Sequence, residues 1–346
     1  VKYDLNTKDY NIIEGKSEQI LKQFPNNSIN CVITSPPYWG QREYADSRSI
    51  GLEPNPEKYV ENLMLVFEEI KRILTEDGSL WLNIGDKYHN KDLMGIPWRV
   101  ALALKDKGWI LRNDVIWNKI RMTQSAKDRL RGLHEYVFHF VKNNKYYYDR
   151  KSILLKHHSV PKKRNGKIVS ITGTSGVRYR EQIKKSLYLS TEEKNLAMKA
   201  LDVALNNMIV GKTVDFRMTI RGQQRTSHGN SEILSGRAKE LRKKGFYVIE
   251  QKSEGYMPTD LWSIVPEDTH RKDIHCAVYP VTLLEIPIKA TCPNNGLVLD
   301  PFMGTGTSIV AALKHGKRGI GIDISKDYVQ LAKQRIKKFQ KTGLEC

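Results

Sequence analysis

Two patterns of apolar and polar residues take turns over the first 150 positions of the chain. Short apolar, β-branched runs predict strands at YNIIEG (10–15), INCVIT (29–34), GSLWLNIGD (78–86), WILRNDVIWNK (109–119) and HEYVFHFVKN (134–143). Between them lie helical patterns at SEQILKQF (17–24), NPEKYVENLMLVFEEIKRIL (55–74) and MGIPWRVALALKDKG (94–108). In the second of these Tyr59, Leu63, Val66, Phe67, Ile70 and Leu74 recur at helical spacing, with Pro56 in the first turn. Strands alternating with helices over short connections predict an α/β fold, with a largely parallel sheet covered on both faces.

Near residue 150 the alternation breaks. HHSVPKKRNGK and SITGTSGVRYR are basic and weakly periodic, STEEKNLAMKALDVALNNM (190–208) is an amphipathic helix capped by Ser190 or Thr191, and TIRGQQRTSHGNSE is polar and irregular. This stretch reads as an inserted module or a mobile arm. Alternation returns near 259 and runs through GLVLDPFMGTGTSIVAALKHG and RGIGIDIS to a final helix, KDYVQLAKQRIKKFQ.

Charge adds a partner. The net charge is +19, and residues 150–258 hold 23 Lys and Arg against 9 Asp and Glu. A basic segment this concentrated attracts a polyanion by counterion release, which points to nucleic acid. The four cysteines (Cys31, Cys276, Cys292, Cys346) form no CxxC pair, so neither a zinc ribbon nor a disulfide framework is expected and a reducing compartment fits. No apolar run approaches the ~20 residues of a membrane span, and no signal-peptide pattern opens the chain. No membrane association and a cytoplasmic location are therefore expected. His157, His158, His270 and His275 lack acids or cysteines at ligand spacing, so no metal is expected.

Two stretches carry candidate chemistry. In CVITSPPYWG (31–40) a strand stops at Ser35, and Pro36 and Pro37 stiffen the exit into a ledge bearing a hydroxyl, carbonyls and the rings of Tyr38 and Trp39. In LVLDPFMGTGTS (297–308) a buried strand reaches Asp300 and then a glycine turn that opens a helix. Such turns let backbone approach a ligand and offer free N–H groups. Asp323 ends the next strand about twenty residues on, where a carboxylate accepts hydrogen bonds from ribose hydroxyls. An anion at Asp300 would repel a pyrophosphate but suits a methionyl ammonium, so a nicotinamide oxidoreductase is the weaker reading.

TSPPYWG followed by DPFMGTGTS resembles the β-class of amino-DNA methyltransferases, over roughly residues 10–150 and 259–340. GSLWLNIGD, DVIWNK and HCAVYPVTLLEIPI support the likeness. The segment Glu14-Gly15-Lys16-Ser17 departs from the Gly-Asp-Ser often found there, and no cofactor contact is assigned to it. The resemblance implies a Rossmann-like, seven-stranded, mostly parallel methyltransferase sheet with an inserted basic recognition module. Its parts would be a catalytic half (1–149), a DNA target-recognition insert (150–258) and a cofactor half (259–346). It implies S-adenosylmethionine as donor, S-adenosylhomocysteine as product, no metal, and double-stranded DNA as partner. A bacterial or archaeal host and a paired restriction endonuclease are further implications; monomer and dimer both stay open.

By the same resemblance, Ser35, Pro36, Pro37 and Tyr38 are the catalytic residues. The Ser35 hydroxyl and Pro36 carbonyl accept N–H bonds from an exocyclic amino group, and Tyr38 stacks on a base flipped from the helix. Asp300, Pro301, Phe302, Gly304, Thr305, Gly306, Thr307 and Asp323 are the cofactor residues. Serine in the first position resembles the cytosine-N4 members, with adenine N6 as the alternative; an RNA methyltransferase or a binder without turnover are more distant rivals. Cys292 precedes its proline, so the Pro-Cys pairing of carbon-5 enzymes is absent. Candidate DNA contacts are Trp39, which walls the pocket or merely packs, and Arg121, Arg129, Arg217, Arg221 and Arg225, with Gln223 and Gln224 beside them. Asp86 either lies among ligands at the sheet edge or caps a helix, and Tyr146, Tyr147 and Tyr148 stack on bases or pack. His134 and Glu135 open a strand beside the basic loop of Arg121, Lys127, Arg129 and Arg131.

Overall fold

The computed structural model describes residues 9–40, 50–120, 126–223, 236–267 and 279–343. The chain divides into two compact units, residues 1–153 with 259–346, and residues 154–258. The first unit begins with β1 (Tyr10–Glu14), α1 (Ser17–Ile20), β2 (Ile29–Thr34), α2 (Pro56–Ile73) and β3 (Leu74–Ile84). A short pair, β4 (Tyr88–His89) and β5 (Asp92–Leu93), precedes α3 (Ile96–Asp106), β6 (Ile110–Lys119) and β7 (His134–Val141). The second unit holds β8 (Lys162–Arg164), β9 (Lys167–Val169), α4 (Val177–Lys185), α5 (Thr191–Ile209), β10 (Thr213–Ile220), α6 (Gly236–Lys244) and β11 (Phe246–Lys252). The first unit resumes with β12 (Leu261–Ile264), α7 (Val281–Thr291), β13 (Leu297–Asp300), α8 (Thr307–Lys314), β14 (Arg318–Asp323) and α9 (Lys326–Thr342).

One mixed sheet of order β1-β14-β13-β2-β3-β7-β6-β12 organises the first unit. The run from β1 to β3 is parallel, β7 is antiparallel to both its neighbours, and β12 lies parallel to β6. Eight strands stand where seven were expected. The extra one is β12, four residues that extend the edge beyond β6.

Because successive strand residues point to opposite faces, INCVIT supplies both. Val32 joins Leu80, Leu82, Leu299 and the buried side of α2 and α3 in one cluster. Cys31 and Ile33 join Trp81, Val137, Val298 and helices α7, α8 and α9 in the other. Along α2, Tyr59, Leu63, Val66, Phe67 and Ile70 are essentially free of solvent, each worth about 1.5–3 kcal/mol of burial. Asn55 caps this helix, its side chain accepting the Lys58 N–H at 2.8 Å.

The second unit has its own core. Ala197, Leu201, Ala204 and Met208 on α5 cluster with Phe216, Met218 and Ile220 on β10 and with Phe246 on β11. Ser190 and Glu193 form a complete capping box at the start of α5. The KKRNGK segment, read as basic and weakly periodic, is a hairpin, β8–β9, turning through Asn165 and Gly166 at φ 47° and 73°. Asn-Gly is the signature of that turn, and it was legible in the sequence.

Candidate active site

The sheet reverses its winding between β13 and β2, so both central strands end at a crevice on their carboxyl side. The ledge leaves β2 and the glycine turn leaves β13. A direct bond joins them: the Thr34 hydroxyl donates to Asp300 Oδ1 at 2.7 Å. Residues 266 apart in sequence thereby fix the two motifs against each other.

Asp300 is fully buried and accepts three further bonds, from the Phe302 N–H (3.0 Å), the Tyr279 hydroxyl (2.9 Å) and the Ser308 hydroxyl (2.6 Å). Burial raises its carboxyl above the usual range against the pull of those donors. Where the sequence suggested a partner for an ammonium, the structure places a knot of four protein donors. Gly306 takes φ 81° at the start of α8, and an added Cβ would lie 3.0 Å from the Ala332 Cβ. Thr305 and Thr307 accept bonds from Arg335 of α9, at 3.3 and 2.6 Å. Pro301 accepts a bond from Ser17 at the start of α1, the loop whose sequence departs from the family pattern.

Asp323 receives the Gly304 N–H on Oδ2 at 2.9 Å and the Ser325 N–H on Oδ1 at 2.8 Å. Burial pushes its carboxyl up to about 6, with those two donors acting in the opposite sense. Each oxygen keeps a lone pair, which suits a vicinal diol. Gly304, at φ 53°, has open space where a side chain would stand. These acceptor sites and this opening fit the ribose hydroxyls of S-adenosylmethionine.

On the other side of the crevice, the Ser35 hydroxyl donates to the Tyr38 hydroxyl at 3.2 Å, and Tyr38 donates to Glu135 Oε2 at 2.8 Å. Asn83 Nδ2 donates to the Tyr38 oxygen (2.8 Å) and to the same Glu135 oxygen (2.9 Å). Lys119 ion-pairs with Glu135 Oε1. Gly85 makes this possible, since a Cβ there would stand 2.9 Å from Tyr38 Cε2 and 3.2 Å from Glu135 Cγ. The Pro37 carbonyl is held by the Tyr59 hydroxyl at 2.9 Å, which anchors the ledge to α2.

Asn83, Lys119 and Glu135 were not among the expected site residues. One signal pointed to them: strand alternation puts Ser35 after Ile33, Asn83 after Trp81, Glu135 before Val137 and Lys119 after Trp117 on a shared face. A polar residue therefore closes an apolar row on four strands, but their adjacency is tertiary information.

Other expected residues lie elsewhere. Trp39 is a core residue, 8% exposed, and its indole donates to the Glu53 carbonyl. Asp86 accepts the N–H of Ile96, so it caps α3. Arg129 stacks on Tyr88 at 3.8 Å. In the second unit, Arg217 is exposed on β10, whereas Arg221 pairs with Glu193 of the capping box. Tyr146 and Tyr148 pack around buried His139, whose imidazole burial holds down to about 3. Arg121, Gln224, Arg225, His270, His275, Cys276 and Cys346 lie outside the described residues. Among the described residues there is no group of metal ligands, no helix long and apolar enough to cross a membrane, and two free, buried cysteines, Cys31 and Cys292.

The chain is similar to several known proteins. Type II methyltransferase M.SfiI of Streptomyces fimbriatus is 32% identical over 93% of this chain and 89% of its own. Type II methyltransferase M.SmaI of Serratia marcescens is 28% identical over 96% and 92%. The solved PvuII DNA methyltransferase (cytosine-N4-specific) shares the fold, with a TM-score of 0.58 and 17% identity over 97% of this chain and 91% of that one. The family model for DNA methylases matches residues 29–334, which takes in the ledge, the glycine turn and the chain between them. The chain thus belongs to the DNA methylase family, the N6/N4 amino-methyltransferases whose methyl donor is S-adenosylmethionine.

Proposed function

We propose that this chain is a site-specific DNA methyltransferase acting on the N4 amino group of a cytosine turned out of the duplex, as the modification partner of a type II restriction endonuclease. The observation that carries the reading is the Thr34–Asp300 bond, which sets the hydroxyl-bearing ledge beside the glycine turn at the ends of neighbouring strands. The names of M.SfiI and M.SmaI support the pairing with an endonuclease.

An exocyclic amino nitrogen is a poor nucleophile because its lone pair is delocalised into the ring. The Ser35 hydroxyl and Pro36 carbonyl accept its N–H bonds and favour a pyramidal nitrogen. Pro36 and Pro37 hold these acceptors still, so positioning supplies much of the rate. S-adenosylmethionine, when bound, supplies an activated methyl group on sulfonium. Asp323 would hold its ribose, Gly304 would leave room for it, and Phe302 would stand beside it at the turn. Asp300, Pro301, Thr305, Gly306 and Thr307 keep the turn in shape. Serine rather than an acid at the head of the ledge favours cytosine N4 over adenine N6. The second unit, with the exposed hairpin β8–β9 and Arg217, reads the DNA, and Arg129 follows phosphates near the first unit.

The test is to incubate the protein with S-adenosylmethionine and unmodified mixed-sequence duplex DNA, digest to nucleosides and weigh them by mass spectrometry. N4-methylcytosine from the wild type and none from Ser35→Ala is the expected result. N6-methyladenine would overturn the base assignment, and transfer to structured RNA alone would overturn the substrate.

A further inference from the structure

Methyl transfer leaves a proton in excess on the amino nitrogen, and neither a serine hydroxyl nor a proline carbonyl can keep it. The nitrogen lone pair forms the new N–C bond, the C–S bond breaks with its electrons going to sulfur, and an N–H bond must then break. The structure supplies a continuous path for that proton. Ser35 donates to Tyr38 at 3.2 Å and Tyr38 donates to Glu135 at 2.8 Å, so both hydroxyl protons already point along one path toward a carboxylate.

We propose that Glu135 is the terminal acceptor of the proton released by the methylated amine, reached through the hydroxyls of Ser35 and Tyr38. The amine proton passes to Ser35 Oγ as the serine proton moves to Tyr38 Oη and the tyrosine proton moves to Glu135 Oε2. Both hydroxyls are restored, and Glu135 ends neutral until it returns the proton to solvent. This rests on the amino-transfer reading above and adds the residue that completes it.

Three features suit Glu135 to this role. Its side chain is 12% exposed, so its hydrogen bond to Tyr38 is little disturbed by water. Lys119 of β6 occupies Oε1, which leaves Oε2 for Tyr38 and for neutral Asn83 of β3. Gly85 gives up its own side-chain space to bring Tyr38 and Glu135 together. Burial and the neighbouring carboxylate push the Tyr38 hydroxyl well above its ordinary value, so it stays protonated and works as a relay.

The test is single-turnover methyl transfer by rapid quench for Glu135→Gln, Tyr38→Phe, the double variant and Glu135→Asp. DNA and S-adenosylmethionine dissociation constants are measured alongside by titration. A general base typically contributes about 10²–10⁴-fold, so Glu135→Gln and Tyr38→Phe should each slow transfer about 100-fold. Both dissociation constants should stay within about twofold of wild type, since the relay is engaged only once the bond to nitrogen forms. The double variant should be no slower than the slower single, because both interrupt one path, and Glu135→Asp should recover about tenfold over Glu135→Gln. Tyr38→Phe leaves the Glu135–Lys119 pair in place, so a merely structural role for that pair would spare it. Wild-type rates in Glu135→Gln, losses that multiply in the double variant, or an aspartate no better than glutamine would each overturn the proposal. A wild type that methylates no amino group would instead fail the underlying reading, and this proposal with it.

Discussion

At the scale of single residues, two aspartates that look alike in sequence have different tasks. Asp300 is saturated with donors, so Asp300→Asn sets an amide N–H where only acceptors fit. We expect a loss of about 2 kcal/mol in stability, read from urea unfolding, because buried donors lose their partner. Asp323 keeps acceptor capacity for a ligand, and its carboxyl is raised to about 6. The sign follows from linkage. A carboxyl raised in the folded, unliganded protein contributes stability below its unfolded value, and that contribution is lost as pH rises through about 6. Donors from a ribose favour the ionised form, so binding below about 6 must release a proton. The affinity for S-adenosylmethionine should therefore fall up to about tenfold per unit as pH drops below about 6 and stay flat above it. Asp323→Asn should flatten that profile, as calorimetry at several pH values would register. Both aspartates end apolar strand runs in the sequence; only their surroundings separate the buried knot at Asp300 from the acceptor sites left open at Asp323.

At the scale of elements, local rules carried far. Proline, capping residues and helical spacing placed α2 at Pro56–Ile73 and α5 at Thr191–Ile209 within a residue or two of expectation. Ser190→Ala should cost about 1 kcal/mol, measured by thermal or urea unfolding, since it removes one half of a reciprocal cap. Strand ends were less legible. The polar row Ser35, Asn83, Glu135 and Lys119 is built by alternation on four strands, but which strands are neighbours is set by the sheet. Gly85→Ala tests that packing: its Cβ would wedge Tyr38 from Glu135, so methyl transfer should slow about tenfold or more while DNA affinity holds. A glycine in a strand often marks a close approach, yet nothing local says what approaches.

For the molecule as a whole, charge and order along the chain decide what can be predicted. With a net charge of +19, DNA affinity should fall steeply with salt. Replacing Lys162, Lys163 and Arg164 with glutamine should make the slope of log K against log salt shallower by about two to three, as seen by fluorescence anisotropy. That follows from sequence alone, because long-range electrostatics depends on how many charges there are and roughly where. The alternation of strands and helices, the ledge, the glycine turn and the basic insert were also set by sequence, since each rests on local sterics or periodicity. Tertiary structure decided the rest: the eighth strand, the burial of Trp39, the engagement of Arg221 with Glu193, the knot at Asp300 and the place of Glu135 beside Tyr38. Those depend on residues up to 266 positions apart meeting in space, as Thr34 and Asp300 do. A meeting of that kind is chosen by the packing of the sheet and its helices together, which no local stretch of the chain encodes.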